Sequence, residues 1–98
     1  MQMDVIGEFE VTYQPGAEPA LVIHHLVRGH DLARLSAAEA GELRELLAVK
    51  QKRIRALSGG HRLVLGANGD FSLHIPSGQR VCYFNPDQSD RLARLLQP

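Results

Sequence analysis

Five histidines stand out first among the residues able to do chemistry: His24, His25, His30, His61 and His74. Imidazole can ligate a metal, carry a proton, or change charge as pH falls through about 6.5. A zinc site needs three or four ligands converging on one point. His24 and His25 are adjacent in a segment that reads as extended, so their side chains leave on opposite faces and share no metal without a local bulge. His25 and His74 make the better pair, because the two halves of the chain place them at matching positions. Ordinary surface imidazoles are the simpler expectation for both, and no metal or cofactor is expected.

Other reactive groups offer less. Cys82 is the single cysteine, so it has no internal disulfide partner, and no CxxC or cationic neighbour lowers its pKa. It reads as a small apolar filler. Asp31, Asp70, Asp87 and Asp90 occupy turns or helix starts, where Asp bonds its own backbone. Glu39, Glu42 and Glu45 fall in the first turns of a helix, where negative charge suits the dipole. Gly59-Gly60 precedes basic residues but ends a helix, the wrong pole for a phosphate. GxSxG, HExxH, Walker and GxGxxG patterns are absent. A non-enzymatic protein is therefore expected.

The elements that must position these residues follow from periodicity and punctuation. Val5 to Tyr13 alternates as one half-buried strand, with Val5, Phe9, Val11 and Tyr13 on one side. Pro15-Gly16 and Pro19 mark a loop, and Leu21 to Val27 is a strand apolar on both faces. Arg28-Gly29-His30 reverses the chain into a third strand, Asp31 to Leu35. Ser36-Ala37-Ala38-Glu39 has the form of a capping box. The helix it starts is predicted to carry Leu43, Leu46, Leu47, Ile54 and Leu57 on one stripe and to end at Gly59-Gly60. Strands at Leu63–Leu65, Phe71–Ile75 and Arg80–Phe84 follow, the first two joined through Asn68-Gly69. Asn85-Pro86-Asp87-Gln88 caps a last helix with Leu92, Leu95 and Leu96 inward.

Shifted by 49 positions, the first half matches the second: His25 falls on His74, Gly29 on Gly78, Ala33 on Cys82, and Ser36 on Asn85. The pattern is strand-strand-strand-helix twice, unit one over 4–58 and unit two over 61–97 of a single domain, 1–98. The fold class is α+β: an antiparallel sheet of about six strands with both helices on one face, built as a pseudo-twofold repeat.

Composition bounds the function. Eleven Lys and Arg balance eleven Asp and Glu, which argues against a dedicated nucleic-acid binder and for self-association. The N-terminus lacks a signal-peptide pattern and no apolar run suits a membrane span, so a cytoplasmic protein without membrane partners is expected. The sheet face opposite the helices is expected to expose Leu21, Ile23, Val27, Leu32 and Val81, together with His25 and His74. An open apolar face implies a partner, most simply a second copy, so the first expectation is a homodimeric interaction module. The alternative is a single-stranded nucleic-acid binder using Arg34, Tyr83 and the basic run Lys50, Lys52, Arg53, Arg55 with Arg62. The bland account of that run is a set of cations at a helix C-terminus. In layout alone, the chain resembles repeat-built single-strand-binding modules whose curved sheets carry helices on one side. Their basic-aromatic strand motifs are missing, so no residue roles follow from the likeness.

Overall fold

Gly7 divides the first extended stretch. Its φ of 61° is a conformation that glycine adopts without a Cβ penalty, and it turns the chain between β1 (Gln2–Ile6) and β2 (Phe9–Tyr13). The computed structural model describes residues 1–97. The expected single strand over Val5–Tyr13 is thus a hairpin, with Ile6 paired to Phe9 and both side chains inward. Val5 moves to the solvent side.

β3 (Leu21–His25) and β4 (His30–Leu35) complete a four-stranded antiparallel sheet in the order β1-β2-β3-β4. Four further strands, β5 (Arg53–Ala56), β6 (Arg62–Leu65), β7 (Phe71–His74) and β8 (Arg80–Phe84), form a second sheet in sequential order. The fold is α+β with two four-stranded antiparallel sheets and two helices, in place of one sheet of about six strands. Both β3–β4 and β7–β8 carry a register shift, after Ile23 and after Leu73. Leu32 and Val81 are the extra residues at these bulges, half-buried against the core.

Both helix starts follow the local sequence. α1 (Ala37–Ala48) is capped by Ser36 with Glu39 returning the bond, and α2 (Pro86–Leu95) by Asn85 with Gln88. The expected length of α1 is wrong. It ends at Ala48, with no basic residue in its last turn, and Arg53–Ala56 is strand β5. Ile54 and Leu57 do continue the helical spacing of Leu43 and Leu47, but three residues apart on an extended chain they face opposite sides. Ile54 is exposed and Leu57 buried.

One core joins the two sheets. Phe9 of β2 stacks on Phe84 of β8 at 5.3 Å between ring centroids, and Phe84 stacks on Phe71 of β7 at 5.0 Å. Leu21, Ile23, Leu35, Leu63 and Leu73 close around them without solvent exposure, each burial stabilising by about 1.5–3 kcal/mol. Each helix docks on the first hairpin of the sheet it does not follow, α1 on β5–β6 and α2 on β1–β2. Glu39 of α1 accepts from Gly59 N in the β5–β6 turn, while Arg91 of α2 reaches Asp4 of β1 at 2.7 Å. In both cases the third helical residue presses on a glycine in a turn. A Cβ on Gly59 would lie 2.6 Å from Glu39 Cδ, and one on Gly7 would lie 2.5 Å from Gln88 Nε2.

Candidate nucleic-acid interface

The face of the second sheet turned away from the core is built of two cross-strand rows. Ile54, Val64, Ser72 and Tyr83 pair in sequence across β5 to β8, and Ala56, Arg62, His74 and Arg80 form the next row on the same side. The alternate residues Leu63, Leu65, Phe71, Leu73, Cys82 and Phe84 point into the core, which fixes the parity of the face. Ile54 is 67% exposed, Tyr83 45% and Val64 37%. An apolar and aromatic row therefore runs alongside a basic row, on an open surface about 14 Å wide at the usual interstrand spacing.

The Tyr83 hydroxyl donates to Asp70 Oδ2 at 2.9 Å, which fixes the ring's orientation. That bond holds the phenol pKa above its ordinary value, and desolvation and the nearby Asp70 charge add to the effect. His74 Nδ1 lies 3.1 Å from the Gly78 carbonyl oxygen. Among the described residues Arg62 and Arg80 have no ion-pair partner, so both guanidinium groups are free to meet an anion.

Charge is segregated along the chain. Residues 1–49 hold three of the eleven Lys and Arg but eight of the eleven Asp and Glu, and residues 50–98 hold the reverse. A neutral total thus hides an acidic half and a basic half. Counting by halves, rather than over the whole chain, is the signal that points to the second half as the basic side.

The expected site residues divide differently from the sequence reading. Leu21 and Ile23 are fully buried, so they cannot form an outer contact. Their strand is apolar on both faces, and its parity is set by pairing: Val11 lies opposite Ile23, and Ile23 opposite Ala33, all three inward. Val22 and His24 take the outer face instead. Val27 is exposed in the β3–β4 turn, while Leu32 and Val81 line a shallow hollow of about 260 Å³ with Ile75 where β4 meets β8.

The basic run is also dispersed. Lys50 pairs with Asp90 at 3.3 Å. Lys52 is exposed just before β5. Arg53 and Arg55 lie opposite Leu65 and Leu63, on the inner side of the sheet edge. They line a cleft of about 260 Å³ with Glu42 and Glu45 of α1. Arg34 is on the outer face of the first sheet, whereas Tyr83 is on that of the second, and it donates through Nε and Nη2 to Asp31 Oδ2 at 3.0 and 2.7 Å.

Among the histidines, the expected matching of His25 with His74 is off by one. His24 sits at the β3 bulge as His74 sits at the β7 bulge, because the β3–β4 turn has one more residue. His24 Nδ1 is 2.8 Å from Asp31 Oδ1. His25 turns inward, edge-on to Phe9 at 5.7 Å between centroids. His30 is exposed. His61 is buried with its Nδ1 3.0 Å from Glu39 Oε2, in a cluster where that carboxylate also accepts from Gly59 N and His61 N. No group of three or more His, Cys, Asp or Glu suited to a metal ion occurs among the described residues. Cys82 is buried, and desolvation pushes its thiol up to about 12 despite a backbone hydrogen bond from Leu73.

No helix among the described residues is long and apolar enough to cross a membrane. Comparison with protein-family models, with curated proteins and with solved structures gave no match to this chain.

Proposed function

We propose that the chain is a binding module, not an enzyme, and that the outer face of its second sheet holds a single strand of nucleic acid. The observation that carries this reading is the pair of rows on that face, one offering Tyr83, Ile54 and Val64 and the next offering Arg62 and Arg80. An aromatic ring and apolar side chains stack against unpaired bases, and free guanidinium groups donate to phosphate oxygens. A face this wide takes two or three bases, so affinity from one face is modest. The basic charge of residues 50–98 supports the same reading by drawing a polyanion toward this half of the molecule. We also read the two helix-bearing units as a pseudo-twofold repeat, supported by the reciprocal seating of Glu39 at Gly59 and Gln88 at Gly7.

Fluorescence anisotropy with a labelled ten-nucleotide oligothymidine tests the proposal. Binding at about 50 mM salt should weaken steeply by about 200 mM, since displaced counterions drive the association. Arg62→Ala and Arg80→Ala should each lower the slope of log K against log salt by about 0.7. The absence of binding at the lower salt, or an unchanged slope in both variants, overturns it.

A further inference from the structure

The first sheet presents an outer face of the same construction but acidic on balance, with Glu10 unpaired among the described residues and Asp31 held by Arg34 and His24. Met3, Thr12, Val22 and Arg34 form one row, and Val5, Glu10, His24 and Asp31 the next. Row for row, Glu10 stands where the second sheet has Arg62, and Asp31 stands where it has Arg80. Met3 is 58% and Val5 44% exposed, so this face too carries apolar surface open to solvent.

We propose that the outer face of the first sheet of one copy docks on the outer face of the second sheet of another. Charge selects this pairing over the two alternatives. Second sheet on second sheet sets two unpaired arginines, Arg62 and Arg80, against their own like, and first sheet on first sheet leaves Glu10 without a free cation, since Arg34 is held by Asp31. The unlike pairing sets the unpaired Glu10 against Arg62 or Arg80 and covers apolar side chains of both faces, Met3 and Val5 on one and Ile54 and Val64 on the other. The long-range field has the same sense, because residues 1–49 are net acidic and residues 50–98 net basic.

The contact is heterologous, with each copy offering one face of each kind, so it either closes into a ring or extends into a chain. Two four-stranded faces bury less than about 1,200 Å², which places a single contact among weak, transient interfaces. The same contact covers Tyr83 and Arg62, so on a given face self-docking and strand binding exclude each other. The proposal stands on the acidic row of the first sheet and does not need the nucleic-acid reading.

Sedimentation equilibrium without any oligonucleotide is the test, so its outcome is separate from that of the binding experiment. At several hundred micromolar protein and about 50 mM salt, the average mass should exceed that of one chain and fall to it near 1 M salt, where screening acts over about 3 Å. Glu10→Lys and Arg62→Glu should each abolish association when alone, and an equimolar mixture of the two should restore it. Recovery in the mixture also shows that both variants are folded, and Glu10→Gln and Arg62→Gln should weaken association without reversing charge. A wild type with the mass of one chain at low salt, a single charge-reversed variant that still associates, or a mixture of folded variants that does not, overturns the proposal.

Discussion

The Glu39 carboxylate is seated directly over Gly59, accepting from its N–H at 3.1 Å and leaving no room for a side chain on that residue. Glu39 comes from α1 and Gly59 from the turn between β5 and β6, so this one contact ties the helix that follows the first sheet to the second sheet. The same carboxylate takes the His61 N–H and faces the His61 ring. Gly59→Ala should therefore destabilise by about 1–3 kcal/mol through overpacking. Glu39→Ala should cost about 3 kcal/mol, because buried N–H donors lose their acceptor. Either loss lowers the thermal midpoint by several degrees or more in a chain of this size. Thermal unfolding by circular dichroism checks both, and a Gly59→Ala midpoint within a degree of wild type would contradict the close approach.

Tyr83 separates stacking from hydrogen bonding on the proposed strand-binding face. Tyr83→Phe keeps the ring and removes the bond to Asp70, so oligothymidine affinity should change by no more than a few-fold. Tyr83→Ala removes the platform and should weaken binding by about 1–3 kcal/mol. Anisotropy titrations of the two variants decide it. Equal losses in both would mean that the hydroxyl, not the ring, makes the contact.

Cys82 should be chemically silent in the folded protein. With its thiol pushed up to about 12, almost no thiolate is present at neutral pH, and the side chain is buried between Leu73 and the core. Labelling by a disulfide exchange reagent should proceed at the rate of unfolding and accelerate in denaturant. Cys82→Ala should fold, since Ala33 fills the matching place on β4. Fast labelling under native conditions would place the sulfur nearer to solvent than it is here.

Asp31 makes one link between pH and stability. Its carboxyl pKa is held below the ordinary value of 3.8, first by the bond to His24 and then by that to Arg34. A depressed folded-state pKa contributes stability that is present above the unfolded value and lost as pH falls through the folded one. The carboxyl resonance of Asp31 should thus titrate with a midpoint below 3.8, and His24→Ala should raise it. A midpoint unmoved by that substitution would assign the effect to Arg34 alone.

What the sequence made legible was local. Ser36 with Glu39 and Asn85 with Gln88 announce their helices because a capping box is closed within four residues. What it concealed was decided at a distance. The inward parity of Leu21 and Ile23 is set by pairing with Val11, Leu35 and Ala33, and nothing within β3 distinguishes its two apolar faces. Ile54 and Leu57 fit a helical stripe as well as a strand, and pairing with β6 decided between them. The histidine match slipped because a shift of 49 aligns β4 with β8, whereas β3 and β7 align at one more. The candidate face was half visible: Tyr83 and Arg62 could be named, but Arg80 gained meaning only when the register set it beside His74.

The crossed seating of the two helices makes the chain a folded handshake between two dissimilar partners. Severed between Ala48 and Arg53, neither piece would keep the hairpin its helix rests on, and the rings of Phe9 and Phe84 would part company. Yet the pieces would be oppositely charged and shaped for one another. The peptide link at that point serves mainly to keep an acidic and a basic half at high effective concentration. Apart from Lys50, which pairs with Asp90 of α2, its residues could be exchanged with little consequence for the union that they hold together.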